Sequence, residues 1–272
     1  MQGSIGIFDS GYGGLTVLKS IRDKLPQYDY IYLGDNARAP YGSRSFDVVY
    51  DYTLQAVKFL FELNCPLVIL ACNTASAKAL RSIQQNDLIN INSDSRVLGV
   101  LKPTTEDAGH LTKTGHIGIL GTDGTINSNS YRIEINKFFP EVKVTQLSCP
   151  MWVPIVENNT FNSEGGEYFI KKKINTILNM DPKIDTLILA CTHYPILSAI
   201  IKKYIPKGVK LIEQGGLVAS KLDKYLDRHT DIHSKLSCNG KLELLTTENN
   251  IKFDQQFKIY YNQELYSKTV HY

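Results

Sequence analysis

Through most of its length the sequence alternates a short, unbroken apolar run with a longer stretch whose apolar residues recur at helical spacing. "IGIF" (5–8) precedes "GLTVLKSIRDKL" (14–25), "DYIYLG" (29–34) precedes "VVYDYTLQAVKFLFEL" (48–63), and "PLVILA" (66–71) precedes "SAKALRSIQQ" (76–85). A strand that is apolar on both faces must be covered on both, and parallel neighbours must be joined by a crossover long enough to hold a helix. The alternation therefore predicts an α/β fold of parallel sheets flanked by helices. In open sheets of this kind ligands bind beyond the carboxyl ends of the strands, so the residues that follow each run are the ones to weigh.

The polar, Asn-rich "QQNDLININSDS" (84–95) interrupts the pattern, which resumes with "VLGVLKP" (97–103), "HIGILGT" (116–122), a helix from about Ser128 to Phe139, "VKVTQLSC" (142–149) and "TLILAC" (186–191). The halves resemble each other. "IGIFDSGYGG" matches "IGILGTDGT", and "VILACNTASA" matches "LILACTHYPI", at a separation of about 115 residues. That spacing is far longer than a solenoid repeat, so it predicts two similar α/β domains related by a pseudo-twofold, with a cleft between them. The tail from "KLIEQG" (210–215) returns to strand and helix patterns without a third repeat and is expected to pack back on the first domain. The expected division is 1–100 with 213–272 as one domain and 101–212 as the other; 272 residues suffice for two cores.

Composition removes several classes of function. Thirty basic and 27 acidic residues are spread evenly, for a net charge of +3, so no basic arm or patch points to nucleic acid. "KKK" at 171–173 falls in an expected helix and reads as a solvated face. No apolar run approaches the roughly 18 residues needed to span a bilayer, and "MQGSIGIFDSG" lacks the pattern of a secretory leader, which places the protein in the cytoplasm with no membrane partner. Five cysteines, with no C-x-x-C pair and no short Cys/His ligand spacing, argue against a disulfide scaffold or a zinc site.

The strand ends carry "DSGYGG", "GDNARAPYG", "ACNTASA", "GTDGT" and "ACTHYP". Glycines there let a ligand approach the backbone, whose N–H groups, with a helix N-terminus, favour a carboxylate or phosphate. "DSGYGG" by itself is equally a strand-to-helix turn capped by Asp9 or Ser10, since it lacks a P-loop Lys and dinucleotide spacing. Cys72 and Cys191 say more. Either alone reads as a small buried hydrophobe, but they occupy equivalent places in the two repeats, each expected near the start of a helix that favours thiolate over a thiol of pKa about 8.5. The Thr and Asn that follow could hold a carboxylate. Two like bases facing one ligand across a cleft suit a racemase, in which one group removes an α-proton and the other delivers one to the opposite face. Asp9 could serve Cys72 and His193 could serve Cys191, although His193 also fits a purely structural role; His110, His116, His229, His233 and His271 have no comparable context.

Taken together, "GIFDSGYGGLTVLKSI" (6–21), "YLGDNARAPYG" (32–42), "ACNTASA" (71–77), "GILGTDGTINSNSY" (118–131), "CPMWVPIVE" (149–157) and "ACTHYPIL" (190–197) resemble the cofactor-independent glutamate racemases of the aspartate/glutamate racemase superfamily. The resemblance covers about the first 215 residues and grows loose in the last 50 or so. It implies that Cys72 and Cys191 are the catalytic bases, acting on D- and L-glutamate respectively, with Asp9 supporting the first, His193 the second, and Glu157 a further acid near the second. It implies a substrate site lined by Asp9, Ser10, Tyr41, Gly42, Asn73, Thr74, Thr122, Thr125, Thr192 and His193, several through backbone N–H groups. It further implies no pyridoxal phosphate or metal, a role in supplying D-glutamate for peptidoglycan, and a homodimer, an arrangement in which members differ. Two stretches depart from the family pattern, "IEQGG" (212–216) and "GVLKP" (99–103) with its Lys102, both outside the catalytic motifs.

Three other readings compete. Spacing does not size a pocket, so aspartate is a rival substrate, although relatives acting on it tend to carry an acidic residue where His193 stands. A non-catalytic two-domain amino-acid-binding protein accounts for a cleft and anion-binding turns but not for paired cysteines. A thiol redox protein is disfavoured by the absence of C-x-x-C.

Overall fold

A computed structural model describes residues 2–261 and 263–272. The described strands are β1 (Ile5–Asp9), β2 (Tyr30–Gly34), β3 (Leu67–Leu70), β4 (Arg96–Gly99), β5 (His116–Gly121), β6 (Lys143–Ser148), β7 (Thr186–Ala190), β8 (Lys210–Ile212), β9 (Leu242–Thr246) and β10 (Lys268–Thr269). They form two wholly parallel sheets flanked by helices, ordered β10-β9-β2-β1-β3-β4 and β6-β5-β7-β8. The order β2-β1-β3-β4 recurs as β6-β5-β7-β8, so the similarity between the halves is one of topology as well as sequence. Each sheet has its switch point between its first and third strands, β1/β3 and β5/β7, where a crevice opens at the carboxyl ends.

Burial explains the apolar runs. Every residue of β1, β2, β3 and β7 is buried, as strands covered on both faces require. On one face of the larger sheet, helix Phe46–Glu62 turns Val49, Thr53, Ala56, Val57 and Leu60 inward onto Phe8, Leu33, Val68 and Leu70. That spacing keeps the buried positions on one helical stripe, and each large apolar side chain so buried contributes about 1.5–3 kcal/mol. Ser45 caps this helix by accepting the Val48 N–H at 3.4 Å, and Ser163 caps helix Glu164–Met180 by accepting the Gly166 N–H at 3.1 Å.

The chain passes between the sheets twice, after β4 and after β8. The two passages lie side by side: Gln214 Nε2, just after β8, donates to the Val100 carbonyl, just after β4, at 3.2 Å. Helix Gln214–Arg228 then packs on helix Leu15–Lys24 of the larger sheet. Gly215 permits that approach, since a Cβ there would lie 2.3 Å from Ser20 Oγ.

Three local expectations are corrected. The Asn-rich stretch is largely helical, with a π turn at Ile83–Asp87 followed by helix Leu88–Asn92. It is held by the buried Ile83 and by Gln84 Nε2 donating to the Val97 carbonyl at 2.7 Å, while most of its polar residues face water. The run at 97–103 is strand only as far as Gly99, and Leu101–Thr105 is helical. The helix expected from Ser128 begins at Ser130, because Asn129 in the left-handed region (φ 55°) separates it from a short helix, Asp123–Asn127.

Candidate active site

The carboxyl ends at both switch points open on one cavity of about 300 Å³. Cys72 and Cys191 both reach its wall, 5% and 6% exposed. Cys72 follows β3 and caps helix Asn73–Lys78, its sulfur accepting the Ala75 N–H at 3.5 Å and lying 3.4 Å from Ser10 Oγ. Its thiol is nevertheless pushed up to about 12, chiefly by burial and further by the charge of Asp9, while the bonds to Ser10 and Ala75 pull weakly the other way. The expectation that a helix N-terminus would favour thiolate here is thus corrected. One long N–H contact from a six-residue helix does not offset withdrawal of the sulfur from water.

Cys191 follows β7 but does not start a helix. A 3-10 turn, Tyr194–Leu197, intervenes before helix Ser198–Tyr204, so the environment of Cys191 is made by side chains instead. Its Sγ lies 3.9 Å from His193 Nδ1, and His193 Nε2 lies 3.0 Å from Glu157 Oε1. Burial pulls the His193 pKa down, but the bonds to Cys191 and Glu157 outweigh it and lift the imidazole to about 10. A chain of Cys191, His193 and Glu157 therefore runs along one wall. His193 is buried against Gly13, where a Cβ would lie 2.4 Å from both His193 Nδ1 and Thr192 Oγ1.

Asp9 is fully buried behind the wall. Its oxygens accept from the Gly11 N–H at 3.0 Å and the Thr192 hydroxyl at 3.3 Å, so it ties the end of β1 to the residue beside Cys191 without a direct bond to Cys72. Burial raises its pKa, while the charge of His193, the N–H groups of Gly14 and Gly11 and the Thr192 hydroxyl act the other way.

Threonines and a glycine join the two sheets across the cavity. Thr74 Oγ1 lies 2.9 Å from Thr122 Oγ1 and 3.3 Å from Thr125 Oγ1, and the Gly124 N–H donates to the Gly42 carbonyl at 2.7 Å. Ser10, Tyr41, Gly42, Asn73, Thr74, Thr122, Thr192, His193 and Glu157 are on the wall; Asp9 and Thr125 stand behind it. Tyr41 is held by hydrogen bonding to Asp35, which also takes Arg38 Nε at 2.7 Å. The wall further includes Ser43, Asp123, Val153, Pro154 and Asn158, which the sequence reading passed over. Val153 and Pro154 sit inside "CPMWVPIVE", where an apolar turn after a strand reads as core. No group of three or more His, Cys, Asp or Glu side chains among the described residues could hold a metal ion. No described helix is long and apolar enough to cross a membrane.

Two repeated α/β units, each presenting a thiol at its own switch point to one shared cavity, fit an isomerase of the racemase class. The chain belongs to the Asp/Glu/hydantoin racemase family, whose model matches residues 15–221. It is 42% identical over 210 residues to a glutamate racemase of Geobacter metallireducens, covering 77% of this chain and 75% of that one. Its fold superposes on glutamate racemase isoform RacE1 of Bacillus anthracis with a TM-score of 0.89 at 33% identity, over 99% of this chain and 97% of the other. The glutamate racemase of Francisella tularensis in complex with D-glutamate gives a TM-score of 0.87 at 31% identity, over 99% and 98%.

Proposed function

We propose that the protein interconverts L- and D-glutamate by a 1,1-proton transfer in which one thiol removes the α-proton and the other delivers a proton to the opposite face. The observation that carries this reading is that Cys72 and Cys191, at equivalent strand ends of the two repeats, open on the same cavity. In the resting protein the Cys72 thiol, pushed up to about 12, holds its proton, while a protonated His193 gives Cys191 a charged partner. One acid and one base are what a 1,1-proton transfer needs. Cys191 would take the α-proton of L-glutamate as Cys72 delivers its own to the opposite face; D-glutamate runs the reverse. The α-hydrogen is weakly acidic, so the reaction depends on a site closed to water in which the carboxylates are gripped by neutral donors: Ser10, Asn73, Thr74, Thr122, Thr192 and backbone N–H groups.

In this reading residues 1–100 with 213–272 form one domain, 101–212 the other, and the substrate lies between them. Asp9 orients Thr192 and Ser10 attends Cys72; Glu157 keeps His193 charged. The reaction needs neither pyridoxal phosphate nor metal and supplies D-glutamate for peptidoglycan in the cytoplasm.

The test is to incubate metal-free protein with L-glutamate in deuterated water, without cofactor, and to follow optical rotation and α-deuterium by NMR. Loss of rotation with deuterium in the product is expected. Exchange with aspartate at a comparable rate would move the substrate assignment, and exchange with neither acid in folded, reduced protein would refute it.

A further inference from the structure

Beside the thiols, Asn73 has a feature the proton transfer does not use. Its side chain is almost wholly buried on the cavity wall, its Oδ1 accepts the Tyr131 hydroxyl at 2.6 Å, and its Nδ2 has no partner in the protein. An amide can be turned end for end with almost no change of shape, so its hydrogen-bond partners decide which end faces a ligand.

Here the partners form a chain with a fixed start. The Val100 carbonyl can only accept, so the Gln214 amide atom 3.2 Å from it must be the nitrogen; turned round, two acceptor oxygens would face each other. The same Nε2 lies 2.6 Å from the Tyr131 hydroxyl and 3.0 Å from Thr104 Oγ1. Tyr131, receiving an N–H, passes its own proton on, and the Asn73 atom it meets must then be the oxygen. Burial holds the Tyr131 phenol well above its ordinary pKa, so it remains a donor. Gln214, Thr104, Tyr131 and Asn73 are all buried, where reversing any step would strand a polar atom at about 1–3 kcal/mol.

We propose that Tyr131 and Gln214 are positioning residues that fix the Asn73 amide with its oxygen on Tyr131 and its unpartnered N–H groups left for a ligand, so that this part of the site serves only a hydrogen-bond-accepting ligand group. That the group is a carboxylate of glutamate rests on the function proposed above. The relay starts where the chain passes between the sheets and ends at the substrate wall, with Tyr131 on helix Ser130–Phe138 and Asn73 after β3. The orientation of Asn73 therefore depends on the two halves being docked.

The test is a double-mutant cycle with a substrate-free readout beside it. Tyr131→Phe removes only the hydroxyl and should raise KM for both enantiomers about tenfold, with kcat changed much less. In an Asn73→Ala background the same change should add almost nothing. An equal rise in both backgrounds would mean that Tyr131 serves packing alone, overturning the proposal. Gln214→Met is the second variant and should behave alike. In ¹⁵N-labelled protein without substrate, the side-chain amide signals of Asn73, assigned by their loss in Asn73→Ala, should shift in both relay variants; unmoved signals would also overturn it. If wild-type protein exchanged no α-proton of glutamate while these signals still responded, the substrate reading would fall and the relay would be supported.

Discussion

Replacing Glu157 by Gln keeps the shape of the group beside His193 and removes its charge. In the wild type Glu157 Oε1 lies 3.0 Å from His193 Nε2, with the Glu157 side chain 30% exposed. A charge-assisted hydrogen bond contributes about 1.5–3 kcal/mol and a neutral one about 0.5–1.5, so the change costs about 1–1.5 kcal/mol of preference for imidazolium. That corresponds to a His193 titration about one pH unit lower. Because His193 titrates near 10 in the folded chain against about 6.5 unfolded, its protonation stabilises the fold fully below pH 6.5, and the contribution is lost as pH rises through 10. In both proteins the loss sets in above the unfolded value, but in the variant it should be complete about one pH unit earlier, so the two differ by a constant amount through neutral pH and converge in stability above pH 10. The assays are NMR titration of the His193 imidazole and denaturant unfolding across the alkaline range. Kinetics add a constraint. Enantiomers have equal free energy in water, so kcat/KM must be the same in the two directions for every variant, and Glu157→Gln should lower both about tenfold. Any directional preference must appear as kcat and KM moving together. An imidazole that titrates where it does in the wild type would refute the assignment of Glu157 as the group that keeps His193 charged.

Other perturbations separate the parts of the site. Cys72→Ser and Cys191→Ser should each lower racemisation by about 10²–10⁴-fold yet still support elimination from a β-substituted glutamate, which needs one base; near-normal racemisation by either would exclude the two-base mechanism. Gly13→Ala places a methyl 2.4 Å from His193 Nδ1 and Thr192 Oγ1, so it should cost about 1–3 kcal/mol of stability and a larger share of activity, by thermal unfolding and rate; a normal rate would mean His193 yields freely. Iodoacetamide at neutral pH should label the exposed Cys238 first and the buried, protonated Cys72 late, by mass mapping, and early labelling of Cys72 would contradict the effect of its burial.

Legibility in the sequence followed burial. β1, β2, β3 and β7, buried throughout, stand out as unbroken apolar runs. Lys268–Thr269 of β10, exposed on its edge, has no such signature. The helix within the Asn-rich stretch was hidden because its only fully buried residue at the turn is Ile83. The thiols could be found because duplication marks them twice, and Asn73, Thr74 and Thr192 because they follow the thiols directly, whereas Ser10 and Thr122 enter the substrate site only through the family resemblance. Glu157 came only with the family resemblance, since nothing local ties it to a histidine 36 residues away. Tyr131 and Gln214 are single polar residues on helices, which in a sequence look like solvated faces; only the packing reveals them as buried. The state of Cys72 is hidden for a related reason: a helix N-terminus is visible in sequence, and the depth at which it lies is not.

Among the described residues the cavity wall includes no Lys or Arg; besides the thiols and the Tyr41 phenol its ionisable groups are the His193 imidazole and the side chains of Glu157 and Asp123, and its other polar groups are hydroxyls, amides and backbone. Dipoles act at contact, whereas a cluster of fixed charges casts a field far into solution and raises encounter rates about 10–10³-fold at low salt. With the single cation of the wall, His193, tied to Glu157 by hydrogen bonding, capture of the acidic substrate proposed above should draw little on long-range attraction and change little in rate with ionic strength. A ligand in which a neutral acceptor replaces one carboxylate should keep more of its affinity for this wall than it would at one built from guanidinium groups.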